Sequence, residues 1–225
     1  MSLFSAVTHR RGFLGTLAGS AAAAGLSGLV PEVLQASPAA AGDAAFIAWL
    51  DGIKGKYKQM YDATATNGGL PLIWPLVFLM TAAPSYGVPE SELGVVVVLR
   101  HGGIPIAFKD ELWAKYKLGE AFKVDDPATK AAAVRNIYAN FKPSDQNPFP
   151  EAALEKLQAR GVRFGVCAMA IKFYSGMMAK QMNMDAAAVE KEWRDSVLPG
   201  IQIVPSGVLA VNGAQSRGCF YCYAG

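Results

Sequence analysis

Two spacings of apolar residues alternate along most of this chain. Val95–Leu99 (VVVVL) is an unbroken β-branched and aliphatic run, and such runs fit strands buried on both faces, the usual state in a parallel sheet. YKQMYDA (from Tyr57), VRFGVC and IQIVPSG read as further strands, and CFYCYAG as an aromatic terminal strand or tail. Between them lie stretches with helical spacing. KDELWAKYK places Asp110 near a helix start, PEAALEKLQARG has Pro150 at its start and Gly161 just past its end, and AMAIKFYSGMMAKQ, DAAAVEKEWRDSVL and VLAVNGAQSRG follow. The most apolar run, LPLIWPLVFLMTAA, has the length of a buried helix rather than a bilayer span. With Pro75 as an early helical residue, it predicts a helix over 74–83, preceded by a polar loop, Asp62–Gly69 (DATATNGG). Strands and helices alternate about five times, which predicts an α/β sandwich around a mainly parallel sheet.

Residues 120–150 break the rhythm. ATKAAAVRNIYANF has helical spacing and KPSDQNPFP is a proline-bearing loop, so the region reads as an insertion or lid-like excursion in one domain spanning 42–225. Composition supports a single core-bearing domain: 225 residues, 52% of them hydrophobic. A net charge of +3 gives no broad basic surface, so nucleic acid is excluded as a partner. Of the two histidines, His9 lies in the leader described next, leaving His101. Any site needing two histidines from one subunit, including the common catalytic zinc triads, is thereby excluded. No P-loop or dinucleotide fingerprint occurs, so no cofactor is implied.

The first residues, MSLFSAVTHRRGFLG, carry Arg10 and Arg11 followed by Phe13 and Leu14, then an uncharged, Ala- and Gly-rich stretch to Val30. This resembles a twin-arginine export signal. Ala39 and Ala41 form a small-x-small cleavage pattern, which puts the start of the mature chain near Gly42 and assigns residues 1–41 to the signal. The resemblance implies handling by the twin-arginine export machinery in a folded state and a periplasmic destination that tolerates disulfides.

From Glu151 onward the order of features is recognisable: a helix ending in Arg-Gly, VRFGVC with a cysteine at the strand-to-helix junction, a helix, LPGIQIVPSG, then a helix leading to a YAG tail. Together with VVVVLRHGGIPIAF and YKQMYDATA, this resembles the DsrE/DsrF-like family across most of residues 57–225. The resemblance implies a three-layer sandwich with a five-stranded parallel sheet, assembled into trimers or hexamers. It also implies that the position of Cys167 can carry sulfur as a persulfide. Two features depart from the family pattern: the export signal, and the Cys219/Cys222 pair.

Cys167 would end a buried strand and open a helix, where the partial positive charge of the helix start favours thiolate, the form that accepts sulfane sulfur or attacks a disulfide. The alternative is an inert core cysteine. His101 follows the valine strand, and ligands in parallel α/β sheets collect beyond the carboxyl ends of strands. Cys167, His101 and the loop bearing Asp62, Thr64 and Asn67 are all predicted at that end. His101 could accept a proton from Cys167 or simply cap its strand, and the three loop residues could bind a polar ligand or serve ordinary turn chemistry. HGG is similar to an esterase oxyanion loop, but no G-x-S-x-G accompanies it. Cys219 and Cys222 form C-x-x-C, open to a disulfide, a redox centre or an oligomer contact, although on a regular strand the two side chains would point to opposite faces. Met169, Met177, Met178, Met182 and Met184 could be thioether ligands for Cu(I), or core and interface fillers.

Three functions therefore compete: a sulfur carrier using Cys167 with a small sulfur species or a thiol protein as partner, a non-catalytic oligomeric module for a small ligand or metal, and a redox protein using Cys219 and Cys222. A homo-oligomer is expected, with part of the apolar helix at a subunit contact.

Overall fold

The computed structural model describes residues 43–139 and 148–225. The predicted export signal and the core of KPSDQNPFP lie outside the described residues. Five strands form one sheet in the order β4-β3-β2-β1-β5, where β1 is Tyr57–Ala65, β2 Leu93–Gly102, β3 Arg163–Cys167, β4 Ile201–Val204 and β5 Phe220–Tyr223. Every pairing is parallel. The sheet is thus wholly parallel, with helices on both faces, as the α/β three-layer expectation requires.

Strand alternation divides the core in two. From β2, Val95, Val97 and Leu99 enter one cluster while Val96 and Val98 enter the other, and all five are almost fully buried. That is why the run lacks polar interruptions. The larger cluster is covered by α2 (Leu70–Tyr86), α3 (Asp110–Lys115), α4 (Leu118–Phe122), α5 (Leu154–Ala159), α6 (Ala168–Met182) and α7 (Ala186–Asp195). The smaller one is covered by α1 (Ala44–Asp51) and α8 (Gly207–Gln215). Helix α1 was not anticipated from the sequence. Arg163 fastens its end by donating from Nε to the Trp49 carbonyl at 3.1 Å, and a Cβ on Gly52 would lie 2.5 Å from the guanidinium carbon.

Several predicted elements are corrected. Helix α2 begins at Leu70, four residues before the expected start, because Pro71 rather than Pro75 occupies the first turn. Pro75 lies inside the helix and forgoes one backbone bond; the burial of Leu72, Pro75, Leu76, Leu79 and Ala82 holds the helix on the sheet regardless. The supposed loop from Asp62 is strand as far as Ala65, followed by a 3-10 turn at Asn67–Gly69. PEAALEKLQARG is not one helix but a 3-10 turn at Pro150–Ala152, then α5, with Ala153 extended between them. The helix suggested by ATKAAAVRNIYANF is absent, since residues 128–139 run through turns and bends.

Side chains explain that last result, by offering the backbone other partners than a helix ladder. Asp126 accepts from Ala128 N at 2.8 Å and pairs with Arg135 at 3.3 Å. Asn136, 2% exposed, donates to the carbonyls of Ile106 (3.0 Å) and Phe108 (2.7 Å) and accepts from Tyr138 N (2.9 Å). The excursion at 123–139 is therefore tied to the domain rather than lying over it. Replacing Asn136 by Leu leaves three backbone groups without partners. We expect a stability loss of about 3 kcal/mol, read as a lower midpoint in urea denaturation.

Candidate functional site

The crossovers β1→β2, β2→β3 and β3→β4 run over the larger face, and β4→β5 runs through α8 over the other. Beyond β3 and β4 the chain therefore departs to opposite sides, so their carboxyl ends form a topological switch point, the crevice position at which sheets of this kind usually hold ligands. Cys167 ends β3 there, in register with Val204 at the end of β4. It is also the N-cap of α6, and its sulfur accepts from Ala170 N at 3.3 Å. Across the crevice Ser206 caps α8, its hydroxyl accepting from Leu209 N at 3.2 Å. Two helix starts of positive partial charge thus flank one thiol. The thiol is 6% exposed and packs on the larger core.

A cation lies nearby. Arg100 follows the valine run on the α8 side of the sheet, and its side chain crosses Gly207, where a Cβ would come within 2.5 Å of it. Its Nε and Nη2 donate to Asp62 at 2.6 and 2.8 Å, and the Tyr221 hydroxyl donates to the same carboxylate at 2.8 Å. Asp62 is 1% exposed, so this pair compensates a desolvated charge. The hydrogen bond to Asp62 holds the Arg100 guanidinium above its ordinary pKa, with smaller electrostatic contributions from Asp62, Tyr221 and Cys167; partial burial acts the other way.

The sequence-predicted residues sort as follows. His101 and Cys167 lie at the same sheet end, but no hydrogen bond joins them. Strand alternation turns Arg100 toward α8 and His101 toward α6. The His101 Nδ1 meets the Tyr174 hydroxyl at 3.2 Å, two turns along α6 from Cys167. Its φ of 49° places it in the left-handed region, uncommon for a side chain of this kind. Asp62 is an internal partner of Arg100 rather than an open ligand. Thr64 hydrogen-bonds the Gly225 carbonyl and shares a 3.2 Å hydrogen bond with the Tyr223 hydroxyl. Asn67 sits in the turn with a φ of 39°, its side chain beside Gly225.

Cys219 faces the smaller core and Cys222 packs against the larger, so the suggested disulfide is absent: both are free thiols on opposite sides of the sheet. Burial pushes both thiols up from their usual pKa. Among the described residues no group of three His, Cys, Asp or Glu is placed to hold a metal. Sequence reasoning missed Arg100, Tyr221, Tyr174 and Ser206. Arg100 had a signal, a lone charge closing a fully apolar strand; the others depend on which strands become neighbours.

No family model matches the chain, and no curated protein matches it. Among solved structures, a protein of unknown function from Methanobacterium thermoautotrophicum is similar at 16% identity, over 74% of this chain and 98% of that one, with a TM-score of 0.35.

Two outcomes follow from this geometry. Arg100→Leu strands the Asp62 carboxylate and should cost about 2 kcal/mol, because the guanidinium is partly exposed. The double substitution with Asp62→Asn should recover part of that loss, measured as a double-mutant cycle by denaturation. In native protein at neutral pH, iodoacetamide should reach Cys222 slowly and Cys219 only after unfolding, read by peptide mass spectrometry.

Proposed function

We propose that this protein is an exported, DsrE-like sulfur carrier that holds sulfane sulfur as a persulfide on Cys167. The observation that carries this reading is the position of Cys167 at the β3/β4 crevice, where it caps α6 opposite the start of α8. The deprotonated sulfur attacks the outer sulfur of a small anionic donor, thiosulfate or a persulfide. The donor's S–S bond breaks, its electron pair leaves with sulfite or thiolate, and the sulfane sulfur stays on Cys167. Helix-start amides and Arg100 favour the negative charge of donor and product. The acceptor is a thiol partner, which receives the sulfur by the reverse attack.

His101 with Tyr174 serves as a proton-handling pair at the rim, one step removed from the sulfur. The reading includes periplasmic location through the twin-arginine signal and a homo-oligomer. Trp74, Val77 and Met80, exposed together on the outer face of α2, favour the latter.

Incubation of the native protein with thiosulfate or glutathione persulfide should add the mass of one sulfur atom to the peptide bearing Cys167. The adduct should be removed by dithiothreitol, lost in Cys167→Ser and retained in Cys222→Ser. Arg100→Gln should slow its formation roughly fivefold, the scale of one partly screened charge. Loading on Cys222 in place of Cys167, or on neither, would reject the carrier role.

A further inference from the structure

The excursion that interrupts the strand–helix rhythm forms one wall of a cavity remote in function from the thiol. The cavity measures about 410 Å³, and its opposite wall is the turn after β1 with the first residues of α2. Small-molecule sites span roughly 300–1,000 Å³ and combine apolar walls with a few fixed polar groups. Both features are present. Leu72, Ile73, Val124, Ile137 and Phe149 supply apolar surface. Thr66 and Tyr138, 8% and 5% exposed, are the hydroxyl-bearing residues of its lining. A phenol at the lining can donate its proton to an acceptor atom of a ligand.

Several contacts brace the wall formed by the excursion. Asn136 binds the excursion to the chain after β2, the Asp126–Arg135 ion pair braces its turn, and Leu154 N donates to the Tyr138 carbonyl at 3.1 Å. Preorganised walls lower the ordering cost of binding. Opposite Tyr138, Gly68 and Gly69 leave the backbone bare: a Cβ on Gly68 would meet nothing within 4 Å, and one on Gly69 would meet only the Tyr138 ring, at 3.6 Å. At the rim Lys123 is exposed, as is Asp125. The charges of Lys123 and Asp125 offset one another at the rim, and the amino end of the long helix α2 adds a positive partial charge beside them.

We propose that this cavity binds a small apolar acid, a ring or branched hydrocarbon bearing one carboxylate-like head. The hydrocarbon fills the space between Ile73 and Phe149, and the head accepts from the Tyr138 hydroxyl and faces Lys123. The site uses no residue of the Cys167 crevice, so it stands or falls separately from the carrier role.

Phenylacetate titrated into the full-length protein, followed by amide chemical shifts, tests this. Saturable shifts confined to residues 66–73 and 123–138 are expected, with phenylacetamide binding more weakly. Tyr138→Phe should weaken phenylacetate about tenfold, one hydrogen bond's worth to a charged group. Lys123→Gln should abolish the preference for acid over amide. Ile73→Trp should fill the cavity and remove binding; if that variant does not fold, the shift map on the unsubstituted protein decides. Shifts elsewhere, no saturable binding at millimolar phenylacetate, or unchanged binding in a folded Ile73→Trp variant would overturn the proposal.

Discussion

A wholly parallel sheet cannot be left open on either side, and here a single crossover, β4→β5 through α8, supplies most of the cover for the second face. The rest follows from that one reversal. It puts β5 beside β1, so Tyr221 reaches Asp62. It lays α8 over β1, β2 and β3, with Gly207 against Arg100. It also makes the chain leave β3 and β4 in opposite directions, and thereby opens the crevice in which Cys167 lies.

Charge at this end of the sheet is handled conservatively. The buried Asp62 carboxylate accepts two hydrogen bonds from Arg100 and one from Tyr221, so the desolvated anion is fully compensated. The same pair holds the guanidinium in a fixed place on the α8 side of the sheet. Cys167, which caps α6 and accepts a backbone hydrogen bond there, has a different setting from a cysteine sealed in hydrocarbon. Cys219 illustrates the second kind: it faces the smaller core, and its dominant influence is desolvation.

The cavity and the crevice occupy different parts of the same sheet end, and they are built differently. The crevice position follows from the strand order together with the faces over which the crossovers run. The cavity depends on a local device, the excursion whose backbone is held by Asn136 and Asp126 instead of by a helix ladder. A segment with helical spacing became a wall because its polar side chains offered the backbone better partners than its neighbours along the chain did.

The sequence by itself determined the layer architecture. A short β-branched run without polar interruption fits a strand buried on both faces, and strands alternating with helical stretches fit a parallel sheet. It also marked Cys167 as a junction residue, since VRFGVC and the following helix share that boundary. It did not determine which neighbour the thiol would have. His101 was the evident candidate as the sole imidazole beyond residue 41, yet consecutive residues of a strand point to opposite faces, so the adjacent Arg100 was delivered to α8 and His101 to Tyr174. Helix α1, the reach of Tyr221 to Asp62, and the separation of Cys219 from Cys222 were likewise decided by tertiary structure. Each depends on which elements become neighbours across the sheet, and local spacing carries no record of that.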